Sequence, residues 1–191
     1  MAGNVFINYR RDQSGDFAGR LHDRLGSAFG RKKIFMDVDN VPVGLDFTKY
    51  LNSQVAACDA MLSIIGPNWL NATDETGQRR LEDPNDFVAI EIAAALARDI
   101  PVVPVLTDGA RMPKESELPD SLKPLARRNA VQVYRDNFGS DAEALLKKLR
   151  EAFDRKRQRQ PESSCFKSRA PLPSSSAAWS ANESMLALSG P

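Results

Sequence analysis

The stretch Ala60-Met61-Leu62-Ser63-Ile64-Ile65-Gly66-Pro67 decides the fold. Its first six residues are nearly all apolar and rich in branched side chains, and Gly66-Pro67 stops them, which reads as a strand with both faces covered. Similar short runs occur at residues 5–9, 34–36, 102–106 and 130–133. Longer amphipathic segments alternate with them. Residues 16–29 carry Phe17, Leu21, Leu25 and Ala28 on one stripe, and Gly30 is placed to end the helix. Residues 47–57 form the next helix, and residues 118–125, interrupted by prolines, allow only short helical pieces. Residues 141–153 close the domain with Leu145, Leu146, Leu149 and Phe153 facing inward. The alternation predicts an α/β protein, a flavodoxin-like open five-stranded parallel sheet with helices on both faces.

The run Phe87-Val88-Ala89-Ile90-Glu91-Ile92-Ala93-Ala94-Ala95-Leu96 holds a single charge in a helix apolar on all sides. A buried carboxylate without a partner costs several kcal/mol, so Glu91 must be neutralised, paired or set at the edge of a ligand cleft. Helical spacing puts Phe87, Ile90 and Ala94 on its side, an acid beside an aromatic wall. The preceding residues 71–85 are polar and irregular, and Asp86 is positioned to cap this helix.

The chain has 191 residues, 42% of them hydrophobic, enough for one domain with a proper core and a tail. Its formal charge is +1, but the first 153 residues hold 20 basic against 22 acidic side chains, a net −2. A near-neutral folded part argues against nucleic acid as the primary partner. Cys58 and Cys165 lack metal-site spacing and His22 is the only histidine, so neither a disulfide framework nor a structural zinc is expected. The amino end meets Arg10 and Arg11 in the wrong order for a signal peptide, and no run reaches the ~20 apolar residues of a spanning helix. The chain is therefore expected to be cytoplasmic, with no membrane partner.

Residues 1–153 are read as the folded domain and residues 154–191 as a basic, then Ser/Pro/Ala-rich tail, disordered or a linker to a further domain. The run Arg155-Lys156-Arg157-Gln158-Arg159 complements the end of the last helix, and nucleic-acid binding through the tail arginines is a weaker alternative.

In this topology ligands sit beyond the carboxyl ends of the strands. The first strand delivers Tyr9-Arg10-Arg11 there, the second Asp37-Val38-Asp39, the third Gly66-Pro67-Asn68-Trp69, and Glu91 opens inward from the next helix. Neither GxGxxG after the first strand nor GxxxxGK is present, which excludes a Rossmann fingerprint and a phosphate loop. A receiver domain needs acids after the first strand and an Asp after the third, where this chain has Arg and Gly. One histidine and no nucleophile elbow leave little for a Ser or Cys triad.

Five segments together resemble a Toll/interleukin-1 receptor (TIR) domain of the bacterial kind. They are Val5-Phe6-Ile7-Asn8-Tyr9-Arg10-Arg11, Phe35-Met36-Asp37-Val38, the loop with Pro42 and Gly44, Gly66-Pro67-Asn68-Trp69, and Phe87 with Glu91. The likeness covers residues 4–153. Such domains include enzymes that cleave NAD+ between nicotinamide and ribose, for bacterial defence or virulence, and adaptors that only associate with other TIR domains. In the enzymes a glutamate four residues after an aromatic, usually Trp, is the essential acid. Here the acid is Glu91 and the aromatic is Phe87, which keeps the ring but removes an N–H donor.

The resemblance implies NAD+ as substrate, no bound cofactor and no metal. Glu91 would hold the nicotinamide ribose and stabilise the developing cation, Arg10 and Arg11 would meet the pyrophosphate, and Tyr9, Phe47, Trp69 and Phe87 are candidates to stack on rings. It also implies self-association, with Asp39, Pro42 and Gly44 in the loop that docks onto another TIR domain and covers its crevice. The competing structural readings are that Glu91 pairs with Arg10 or Arg11 inside the fold, and that Trp69 and Phe47 are core residues. Of the two arginines at most one points into the crevice. Asp37 and Asp39 are read as turn residues and His22 as a surface or half-buried helix residue.

Overall fold

Five strands, β1 (Val5–Asn8), β2 (Ile34–Met36), β3 (Ala60–Ile65), β4 (Val102–Leu106) and β5 (Val131–Gln132), lie side by side in the order β2-β1-β3-β4-β5. All four pairings are parallel. The computed structural model describes residues 3–36, 53 and 55–159. Every residue of β3 is buried, as its continuous apolar run requires of a central strand. The flavodoxin-like sheet expected from the sequence is the one observed.

Among the described residues three α-helices follow the strands, α1 (Arg11–Phe29), α2 (Phe87–Ala97) and α3 (Phe138–Arg159), and the helix expected over residues 47–57 lies mostly outside the described residues. α1 begins earlier than its apolar stripe suggests, because the Arg10 carbonyl accepts from the backbone N–H groups of Gln13 and Ser14 and winds a first turn. Ser14, at φ −137°, marks a kink between that turn and the rest of the helix. Gly30 ends α1 as anticipated, with φ +97° and its N–H donating to the Gly26 carbonyl at 2.9 Å; only glycine adopts that conformation without strain. α3 continues past Phe153, its last buried apolar residue, to Arg159. The added residues are mostly Arg, Lys and Gln, good helix formers that need no core contact to stay wound.

Strand alternation sorts the core into two layers. Val5, Ile7, Leu62 and Ile64 pack against Phe17, Leu21 and Leu25 of α1 and Leu145 and Leu149 of α3. Edge-on aromatic contacts lock the two helices together, Phe17 with Phe138 at 5.8 Å and Phe29 with Phe153 at 5.9 Å between ring centroids. On the other face Phe6, Met61 and Ile65 meet Val88, Ile92 and Ala95 of α2, backed by Leu122 and Leu125 of the short helical segment Asp120–Arg127. Among the described residues no helix is long and apolar enough to cross a membrane.

The turn Glu115–Glu117, just before the segment that backs α2, is held by an ion pair. Arg111 donates through Nη1 and Nη2 to the two oxygens of Glu117 at 2.8 and 2.6 Å, and the Lys114 backbone N–H donates to the same carboxylate at 2.7 Å. The Arg111 bonds, then the backbone bond, hold the Glu117 carboxyl at about 2, below its ordinary 4.5. A carboxyl lowered by folding contributes stability above its unfolded value and loses that contribution as the pH falls from 4.5 toward 2. The urea midpoint should therefore decline over that window, and Glu117→Gln should decline less steeply. Identical pH dependence in the two proteins would refute the role of this pair.

Candidate active site

Alternation along β1 turns Phe6 and Asn8 toward α2 and Val5 and Ile7 toward α1. Asn8 therefore faces the helix that carries Glu91. Its Nδ2 donates to Glu91 Oε2 at 2.6 Å and to the Val88 carbonyl at 3.2 Å. Its Oδ1 accepts from Ser63 Oγ at 3.2 Å. Asn8 and Ser63 are register partners on the adjacent strands β1 and β3. All three side chains are buried, Glu91 the least so at 7% exposure.

Arg10 continues the same parity one step beyond Asn8. Its Nη1 and Nη2 donate to Asp86 Oδ1 and Oδ2 at 3.0 and 2.8 Å, and both side chains are inaccessible to solvent. The fork is end-on, and the buried Nε finds no hydrogen-bond partner. Asp86 stands at the N-cap of α2, as the sequence suggests, but its side chain makes no capping bond. The guanidinium outcompetes the backbone for the carboxylate, because a charge-assisted bidentate pair is stronger than a single cap. The negative charge still lies at the positive end of the helix. Arg80, partly exposed, approaches the same group, with Nη2 3.8 Å from Asp86 Oδ1 and Nη1 3.5 Å from Asp12 Oδ1.

The residues singled out in the sequence divide accordingly. Glu91 lies near the carboxyl end of β1, where the chain leaving β1 turns to α1 on one face and the chain leaving β3 reaches α2 on the other. That divergence is the topological switch point, the usual ligand crevice of such a sheet. Phe87 stands one helical turn before Glu91 and is 52% exposed, an aromatic ring presented to solvent. Arg11 opens α1 and is exposed. Two expectations need correction. Arg10 points into the fold and is bound to Asp86, so it does not stand on the rim to meet a pyrophosphate. Trp69 is 1% exposed within the α2-side core, because the turn after Gly66 swings its ring inward, and it presents no face to a ligand. Tyr9, half-buried just after β1, packs on the α1-side core with the opposite parity from Asn8. Phe47 and the loop residues Asp39, Pro42 and Gly44 lie outside the described residues.

The sequence reading did not single out Asn8, Ser63 or Arg80. For the first two a signal existed: each is a polar side chain inside a strand that is otherwise apolar, and buried polar groups need partners. Arg10 is taken up by Asp86, and one donor to the Glu91 carboxylate is the Asn8 amide. Among the described residues no three His, Cys, Asp or Glu side chains gather as metal ligands.

A sequence profile of the TIR domain matches residues 5–150. The chain is 26% identical over 147 residues to the NAD(+) hydrolase sarm1 of Drosophila melanogaster, a match covering 77% of this chain. It spans only 10% of that relative's length. Among solved structures it is similar to the TIR domains of the activated Roq1 resistosome directly recognizing the pathogen effector XopQ. That similarity has a TM-score of 0.58 and 14% identity, and covers 78% of this chain and 99% of the other. At that identity the likeness concerns the fold.

Removing one partner of a buried pair leaves the other charge uncompensated, at a cost of about 3–5 kcal/mol. Asp86→Ala should lower unfolding stability by roughly that amount in urea, whereas the double change Arg10→Met with Asp86→Leu should recover most of the loss. A single-variant loss below about 1 kcal/mol would place the pair among ordinary surface contacts.

Proposed function

We infer the activity of this chain from the premise that it belongs to the TIR domain family, whose profile covers residues 5–150. We propose that it cleaves NAD+ between nicotinamide and ribose, releasing nicotinamide and either ADP-ribose or a cyclic isomer. The observation that carries this reading is the Glu91 carboxylate, buried at the switch point beside an exposed aromatic ring and held by an amide donor. The similarity to a protein named as an NAD(+) hydrolase supports it.

The chemistry asks for little more than that group. The bond from ribose C1′ to the pyridinium nitrogen breaks with its electron pair going to nitrogen, so nicotinamide departs neutral and needs no general acid. What must be stabilised is the oxocarbenium-like sugar left behind. A carboxylate fixed in a water-poor crevice stabilises that charge far more than one in bulk water. Glu91 would accept from the ribose hydroxyls and offer its charge to the cation. Water adding at C1′ then loses a proton to give ADP-ribose, and a ring nitrogen of the adenine adding instead gives the cyclic product. Phe87 would stack on a ring of the substrate, and Arg11 at the start of α1 would meet the pyrophosphate.

Self-association through the loop with Asp39, Pro42 and Gly44 belongs to the same reading, so activity should rise when the protein is concentrated on a surface. The test is nicotinamide release and product mass from purified protein incubated with NAD+, dilute and bead-bound, beside Glu91→Ala. The wild type should release nicotinamide, and Glu91→Ala should fall by at least about 10²-fold with an unchanged circular dichroism spectrum. Retained turnover in Glu91→Ala would overturn the assignment of the acid. Silence of the wild type in both states favours the adaptor reading, in which changing Pro42 abolishes a TIR–TIR complex that Glu91→Ala leaves intact.

A further inference from the structure

Glu91 sits on α2, but a donor that binds its carboxylate, the Asn8 amide, is on the sheet. A glutamate side chain has three rotatable torsions, so the helix sets where its Cα lies and leaves its oxygens to be placed by something else. The Asn8 amide supplies that constraint through two donated bonds from one nitrogen, to Glu91 Oε2 and to the Val88 carbonyl. Val88 is three residues before Glu91, on the same side of the helix, so Asn8 grips both the backbone and the acid of one turn. A carbonyl has two lone pairs and accepts this bond without leaving the helical ladder.

The direction of the chain of bonds follows from the acid. An ionised carboxylate only accepts, so the amide must turn its N–H toward Glu91 and its oxygen away. Ser63 Oγ stands at that oxygen, 3.2 Å away, and donates to it. If the amide reversed, two oxygens would face each other across 2.6 Å and the serine would face an N–H. Ser63 is fully buried and Asn8 nearly so, and water is not at hand to replace either bond.

We propose that Asn8, oriented by Ser63, is a positioning residue that fixes the Glu91 carboxylate for the sugar cation. This rests on the NAD+ reading above. The relay runs from β3 through β1 to α2, so the acid is referenced to the buried centre of the sheet as well as to its own helix. Its loss acts chiefly on the placement of charge in the transition state, and leaves Phe87 and Arg11, which would hold the rest of the substrate, untouched. The kinetic signature is a fall in kcat at nearly constant KM.

The experiment compares wild type, Glu91→Ala, Asn8→Ala and the milder Ser63→Ala in steady-state nicotinamide release, each at a temperature where circular dichroism shows it folded. Asn8→Ala should lose on the order of 10²-fold in kcat, the usual effect of misplacing a catalytic group by about 1 Å. Ser63→Ala should lose about 5- to 10-fold, the worth of one neutral hydrogen bond. KM should stay within about twofold in both. Wild-type kcat in both variants, or a loss confined to KM, overturns the inference. A second readout needs no NAD+: the Asn8 side-chain N–H resonances should exchange slowly with solvent in the wild type and fast in Ser63→Ala and Glu91→Ala. Fast exchange in the wild type also overturns the inference. Should the wild type release no nicotinamide, the NAD+ reading fails, and the exchange data alone decide whether Asn8 and Ser63 hold the acid.

Discussion

The molecule depends on two polar stitches from the end of β1 into the first turns of α2. Arg10 binds Asp86 and Asn8 binds Val88 and Glu91, both from the same side of one extended segment. An apolar helix lying on an apolar sheet has a broad, shallow optimum, since the packing of Val88, Ile92 and Ala95 alone tolerates sliding and rotation. Directional bonds to buried charges do not, because any slip leaves a charge unpaired in a low-dielectric interior. The stitches therefore set the register of α2 on the sheet, and with it the place of Glu91.

They also explain how a carboxylate is kept in a core. Asp86 has its charge matched by Arg10, and the Glu91 carboxylate accepts from the Asn8 amide. The structure thus places the strong ion pair one turn away from the acid, where it serves folding. Arg80, partly exposed, bridges that buried pair to Asp12 at the surface.

Much of the fold was legible because it is local. The largely apolar runs of β3 and β4, the stripe of α1 and the glycine that ends it each express a rule that acts within a few residues. The odd charge in the Phe87 helix pointed to Glu91 for the same reason. Trp69 misled because a large aromatic after a strand is equally at home on a rim or in a core, and only the turn following Gly66 chooses. Arg10 misled because charged residues are read as solvated by default, and its partner lies 76 residues away in the chain.

By itself the sequence determined the order of strands and helices, the apolar faces and the single acid that those faces could not absorb, because periodicity and burial are properties of neighbouring residues. Only the tertiary structure decided which polar groups meet. Whether Asp86 caps its helix or binds Arg10, which strand residue donates to Glu91, and which of Tyr9 and Arg10 turns toward α2 all follow from strand parity and from contacts between residues far apart in the chain. Those choices are made by competition among donors for buried carboxylates, and the competitors become neighbours only when β1, β3 and α2 are packed together.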